Sequence, residues 1–150
     1  MSDLRELYQE VIIDHNKNPR NFRVLEPCTH HAEGFNPLCG DQLALYLEIE
    51  NNIIKKTGFQ GKGCAISTAS ASLMTEALIG KTPAEAGKLF HLFHQLMVSS
   101  DEKLRPDVSL GKLAVFAGVR EFPARVKCAT LPWHALEAAL HQNNKSVSTE

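Results

Sequence analysis

The sequence has almost no net charge, no long apolar run and little cysteine, and each lack removes a class of function. Its 150 residues carry 16 Lys and Arg against 17 Asp and Glu, a net charge of −1. That leaves no basic field for nucleic acid and no polybasic patch for an anionic membrane. No apolar stretch approaches the ~20 residues needed to span a bilayer. The opening Met-Ser-Asp-Leu-Arg-Glu-Leu is polar and amphipathic, unlike a secretory signal. A cytoplasmic location is the expectation, and there thiols stay reduced. With only four cysteines in a chain of this size, disulfide staples are not needed; metal binding or catalysis is the better default for them. Internal repeats, a domain-sized linker and the His/Asp constellation of a hydrolase nucleophile are also missing.

What is present fits one globular domain over residues 1–150. The hydrophobic fraction of 43% and charged fraction of 22% are ordinary, and the length allows a sizeable core. Residues 2–15 read as a helix, with Asp3 and Glu6 as a capping box and Leu4, Leu7, Tyr8, Val11 and Ile12 on one face. Residues 16–38, with Pro19, Pro27 and Pro37, read as an extended loop. From Gln42 to Ile49 the pattern alternates, with Leu43, Leu45, Leu47 and Ile49 on one face, as in a half-buried strand. Asn51-Asn52 suits a tight hairpin turn, and Ile53 to Phe59 returns as the second strand. After Cys64 a helix buries Ile66, Ala69, Leu73, Met74, Ala77 and Leu78, with Ser67 as its cap and Gly80 at its close. Thr82-Pro83-Ala84-Glu85 starts another helix, running to about Val98. A polar loop with Pro106 leads to a shorter helix from about Ser109 to Gly118. Pro123 breaks the chain, and Thr130-Leu131-Pro132-Trp133 starts a last helix. Residues 142–150 are polar and expected to be disordered. The fold class is therefore α+β.

The cysteines carry the chemistry. Cys39, Cys64 and Cys128 each stand beside glycine or proline, next to a hydrophobic strand or a helix start, and Asp41 follows Cys39 by two residues. The first strand begins just after Cys39-Gly40-Asp41 and the second leads into Gly61-Lys62-Gly63-Cys64. Antiparallel pairing brings these to the same edge of the hairpin. Cys64 and Cys128 are both expected at helix N-termini, where the dipole favours thiolate. A Cys₃Asp set suits tetrahedral zinc, equally suits an iron–sulfur cluster with one labile ligand, and three thiolates also suit passage of persulfide sulfur. The spacing matches no compact zinc finger or ribbon, and a lone free cysteine is more often part of a core.

Three segments carry a resemblance. Asn-Pro-Leu-Cys-Gly-Asp at 36–41, Gly-Phe-Gln-Gly-Lys-Gly-Cys-Ala-Ile-Ser at 58–67 and Arg-Val-Lys-Cys-Ala-Thr-Leu-Pro-Trp at 125–133 resemble the signature segments of U-type iron–sulfur assembly proteins, the NifU N-terminal, IscU and SufU family. The likeness runs from about residue 4 to 141, including Leu-Tyr-Gln-Glu-Val-Ile-Ile-Asp-His-Asn-Lys-Asn-Pro-Arg-Asn-Phe at 7–22. The long interval from Cys64 to Cys128, and Lys127 where IscU has a histidine, resemble the SufU branch. This resemblance implies a small antiparallel sheet of about three strands packed against four to five helices. It implies zinc on Cys39, Asp41, Cys64 and Cys128, or a transient [2Fe-2S] cluster or iron on the three cysteines. It also implies a cysteine desulfurase of the SufS or IscS kind as partner, downstream iron–sulfur assembly or acceptor proteins, and Cys39 as persulfide acceptor with Cys128 the alternative. Arg125 and Lys127 would support the thiolates, or be plain surface cations. Whether the chain is a sulfurtransferase-like acceptor or a non-enzymatic scaffold stays open at this point. So does the different class of a structural zinc protein that binds partners without sulfur chemistry.

Other groups read as structural. Cys28, His30 and His31 sit too tightly for most zinc sites and have no fourth ligand nearby. His91 and His94 beside Phe90 and Phe93 fit a packed helix face, and Ser67, Thr68, Ser70 and Ser72 permit close helix packing.

Overall fold

The computed structural model of the chain describes residues 2–37, 39–98, 108–141 and 147–148. The order is α1 (Ser2–Lys17), β1 (His30–Asn36), β2 (Asp41–Glu50), β3 (Ile53–Lys62), α2 (Ala65–Leu78), α3 (Pro83–Val98), a 3₁₀ segment (Val108–Glu121), α4 (Pro123–Leu140) and β4 (Val147–Ser148). Strands β1, β2 and β3 form the expected antiparallel sheet, and β4 adds two residues parallel to β1, giving the order β3-β2-β1-β4. Those two residues correct the expectation of a wholly disordered tail; the rest of 142–150 lies outside the described residues, as does the loop holding Pro106.

The hairpin follows from its sequence. Asn51 and Asn52 both take positive φ, 53° and 62°, as a two-residue turn between right-twisted strands requires. Leu43, Leu45 and Leu47 are buried on the inner face, where α4 packs on β2 and α2 on β3, and they share one core with Ala69, Leu73, Leu131 and Leu136. Tyr8, Val11 and Ile12 of α1 pack against this core; the side chains of Leu4 and Leu7 lie outside the described set. Trp133 stacks on Phe93 with centroids 4.7 Å apart and donates its indole N–H to Ser70 Oγ at 3.2 Å. Ser70 in turn donates to the Ala129 carbonyl at 2.6 Å, so this serine of α2 does more than leave room: it ties α2 to α4. Thr82 and Glu85 form the expected capping box, each backbone N–H bonding the other's side chain at 3.0 and 3.1 Å.

Four expectations need correction. Residues 30–36, read as loop, are strand β1; its buried positions are Ala32, Gly34 and Asn36 while Phe35 points outward, so no apolar alternation marks it. The cap of α2 is Cys64, with Ser67 buried inside the helix. The last helix starts at Pro123, a first-turn residue that needs no amide hydrogen, and runs through Cys128 and Pro132. The 3₁₀ segment also runs past Gly118, and Gly111 kinks it at φ 54°.

Candidate metal centre

The sheet register does most of the assembly. Asn36 pairs with Asp41 across the turn that carries Cys39, and Gln42 pairs with Lys62. The start of β2 and the end of β3 therefore meet, and Cys64 caps α2 two residues later. Two glycines permit this approach. A Cβ on Gly61 would come within 2.0 Å of the Gln42 carbonyl, and one on Gly63 within 2.7 Å of Asp41 Oδ1.

Cys39, Asp41 and Cys128 hold their ligand atoms within 4.8 Å of one another, the one such three-residue group among the described residues. Asp41 is fully buried. Its Oδ1 accepts the Cys64 backbone N–H at 2.8 Å, so the carboxylate sits on the N-terminus of α2, where unpaired N–H groups favour an anion. Cys64, the fourth expected ligand, stands beside that group rather than in it, with its Sγ 3.9 Å from Asp41 Oδ2. The Cys128 and Cys39 sulfurs are 3.3 Å apart. Cys39 and Cys64 are half-buried, whereas Cys128 has no exposed surface.

Cys128 is the sixth residue of α4, beyond the first turn, so the dipole argument applied to it in sequence does not hold. Its thiol is pushed strongly upward, first by burial and then by hydrogen bonds to Cys39, Asp41 and Cys64. A cluster of one carboxyl and three thiol groups, with Asp41 and Cys128 fully buried, is costly to charge throughout without a cation. Three soft sulfurs, one hard oxygen and that unmet charge fit zinc or iron.

Arg125 stands one turn before Cys128. Its guanidinium is exposed, and the neighbouring Cys128, foremost, with Cys64 and Cys39 favours its charged form. Lys127 precedes Cys128 by one residue, about 100° round the helix from it, and is half-buried. Asn36 was not singled out from sequence, yet its Nδ2 donates to Asp41 Oδ2 at 3.2 Å and approaches Cys128 Sγ at 3.5 Å. Only the register, with β1 recognised as a strand, could have pointed to it. The remaining candidates are not brought into a metal cluster. His30 bonds Thr29 Oγ1 at 2.9 Å, His31 stacks on Tyr46, and His94 packs with Phe90 and His134.

Known proteins share the sequence and fold of this chain. The sequence profile of the NifU-like N terminal domain matches residues 7–144. The chain is 41% identical over 136 residues to the zinc-dependent sulfurtransferase SufU of Bacillus subtilis, covering 91% of this chain and 90% of that one. It is 37% identical over 143 residues to the iron–sulfur cluster assembly scaffold protein IscU of Streptococcus pyogenes, covering 95% and 88%. The solved structure of FiSufU from Fervidobacterium islandicum superposes with a TM-score of 0.79 at 38% identity, over 87% of this chain and 94% of that one.

Proposed function

Because the chain belongs to the family of NifU-like N-terminal domains, we propose that it is an iron–sulfur cluster assembly protein that accepts persulfide sulfur from a cysteine desulfurase. The acceptor is Cys39. The observation that carries this is the contrast between two sulfurs 3.3 Å apart: Cys128 is locked inside α4, while Cys39 rides on a turn and is half-open to a partner. Gly40 next to it takes φ 70° with open space around it, which lets the turn present the thiol.

The transfer is a thiol–disulfide-type exchange. The Cys39 thiolate attacks the terminal sulfur of the partner's cysteine persulfide. A bond forms between Cys39 Sγ and that sulfur, the partner's S–S bond breaks, and its cysteine leaves as a thiolate. Any proton on the terminal sulfur stays on that sulfur as it passes to Cys39, and no oxidant or reductant is consumed. Zinc on Cys39, Asp41, Cys64 and Cys128 would keep the thiols deprotonated when bound. Arg125, one turn before Cys128 and favoured in its charged form by the thiols around it, offers the positive charge that an anionic persulfide beside it needs. Iron and sulfide are cargo in the scaffold version of this reading, with Cys39, Cys64 and Cys128 as cluster ligands. Lys127, in place of a histidine ligand, favours the zinc-dependent relay, handing sulfur to a downstream assembly or acceptor protein. The setting is cytoplasmic in either version; no helix among the described residues is long and apolar enough to cross a membrane.

The test mixes purified protein with a desulfurase and cysteine, reading sulfide release and the mass of the intact chain. Wild type raises sulfide release and gains one sulfur on a peptide containing Cys39; Cys39→Ala does neither. Undiminished stimulation by Cys39→Ala, with the adduct on Cys128, would overturn the acceptor assignment. Absence of any adduct or stimulation in wild type leaves the structural zinc protein as the better account.

A further inference from the structure

Asn36 ends β1, is fully buried, and has an uneven hydrogen-bond arrangement. Its side-chain nitrogen faces two acceptors, Asp41 Oδ2 at 3.2 Å and Cys128 Sγ at 3.5 Å. Its side-chain oxygen is buried too and has no hydrogen-bond partner. Buried amides ordinarily satisfy both ends, so this orientation leaves one preference unmet to serve another. Turning the amide over would set its oxygen against a carboxylate and a sulfur, which is worse. The site therefore dictates how Asn36 points.

The other oxygen of Asp41 is held as well, by the Cys64 backbone N–H at 2.8 Å. The carboxylate is fixed from both sides, and Cys128 is fixed by the helix that carries it and by the same amide. Cys39 lies on the turn between Asn36 and Asp41, outside the pair that the amide bridges. We propose that Asn36 is a positioning residue of the metal centre: one amide holds Asp41 and Cys128 as a fixed pair, and Cys39 is the sulfur left able to move. The geometric half of this stands alone; the link to mobility rests on the reading of Cys39 as sulfur acceptor.

Asn36→Leu is close in volume, removes both donated hydrogen bonds and also removes the orphaned oxygen. A role confined to packing predicts unchanged or higher thermal stability of the zinc-free protein and an unchanged metal site. A positioning role predicts a zinc affinity, by chelator competition, that falls about 10–100-fold, as for other outer partners of metal ligands. It also predicts an altered absorption spectrum of the cobalt-substituted protein. In zinc-free wild type, iodoacetamide labels Cys39 faster than Cys128, and the variant narrows that ratio severalfold because Cys128 loses its tether. A folded Asn36→Leu protein with wild-type affinity, cobalt spectrum and labelling ratio overturns the proposal. Should Leu not fit, Asn36→Ala gives the same readouts, and failure of both to fold makes the residue a requirement of the fold and overturns a positioning role. None of these measurements uses a desulfurase. A missing persulfide on Cys39 alongside a weakened metal site would therefore sink the sulfur-transfer reading and leave the clamp standing.

Discussion

Replacing Gly63 by alanine asks whether Asp41 is as tightly held as the geometry says. Gly63 does not need positive φ, so the backbone itself accepts a side chain. At an unobstructed site with such a backbone, Gly→Ala stabilises by about 0.4–1 kcal/mol through the unfolded chain. Here the new Cβ would stand 2.7 Å from Asp41 Oδ1 and 3.2 Å from its carboxyl carbon. Ordinary contact is roughly 0.7 Å further out. Asp41 is buried and bonded through both oxygens, so it cannot swing aside without stretching the 2.8 Å bond from the Cys64 N–H. Overpacking at about 1–3 kcal/mol and a weakened charge-assisted bond of similar size outweigh the backbone gain. The net expectation is a loss of about 2–4 kcal/mol, or roughly 5–12 °C in Tm for a chain of this length. Thermal unfolding of the zinc-free protein measures this, and chelator competition should show zinc affinity reduced about 10–100-fold. A Gly63→Ala protein that melts at or above the wild-type temperature and binds zinc normally would refute the claim that Asp41 is pinned.

Two further outcomes concern the frame around the site. Ser70→Ala leaves the Trp133 indole N–H and the Ala129 carbonyl buried without their shared partner, and should cost about 1–3 kcal/mol, seen as a lower urea midpoint at unchanged m. His15, buried where α1 meets α2, shares a 2.7 Å hydrogen bond with Ser72 Oγ, an oxygen that also accepts the Arg20 backbone N–H at 2.8 Å. Burial foremost, then the charge of Arg20, with a smaller push the same way from Lys112, lowers its proton affinity against the opposing pull of Glu76 and Asp14. The unfolded chain then binds more protons below the ordinary histidine value near 6.5, so stability present above that value falls as pH drops through it. Urea unfolding at pH 7.5 and 5.5 should show a loss at the lower pH that shrinks in His15→Gln; an equal loss in both proteins would remove His15 as its source.

How much of this was legible in sequence depended on whether pattern or partner decided each element. The hairpin was readable because Leu43, Leu45 and Leu47 alternate against Ala44, Tyr46 and Glu48, and because two asparagines in succession suit only a narrow set of turns. The convergence of Asp41 with Cys64 followed from that hairpin alone. Strand β1 was not readable: its inward residues are Ala32, Gly34 and Asn36, and its bulkiest apolar residue faces out. Gly34 is inward because a Cβ there would already stand 3.0 Å from Leu131, a tertiary constraint that no local period records. The start of α4 was missed for a related reason. Pro132 looks like a first-turn proline after a capping threonine, yet Pro123 holds that role, and Thr130 bonds back to the Val126 carbonyl at 3.0 Å within the helix.

That second miss bears on the chemistry of the centre. Had α4 begun at Thr130, Cys128 would have been a loop thiol activated by a helix dipole, equivalent to Cys64. Inside the helix it is a buried group whose position is set by the backbone, and Pro132, four residues on, has no N–H to offer the Cys128 carbonyl. The three sulfurs thus belong to three mechanical classes: Cys128 within a helix, Cys64 at a helix cap, and Cys39 on a turn. A closed structural zinc site gains nothing from such inequality, because each ligand there serves only to stay. A site that must give up one sulfur to a partner needs two thiols and a carboxylate that hold, and one thiol that yields. The fold distributes its four candidate ligands in that proportion.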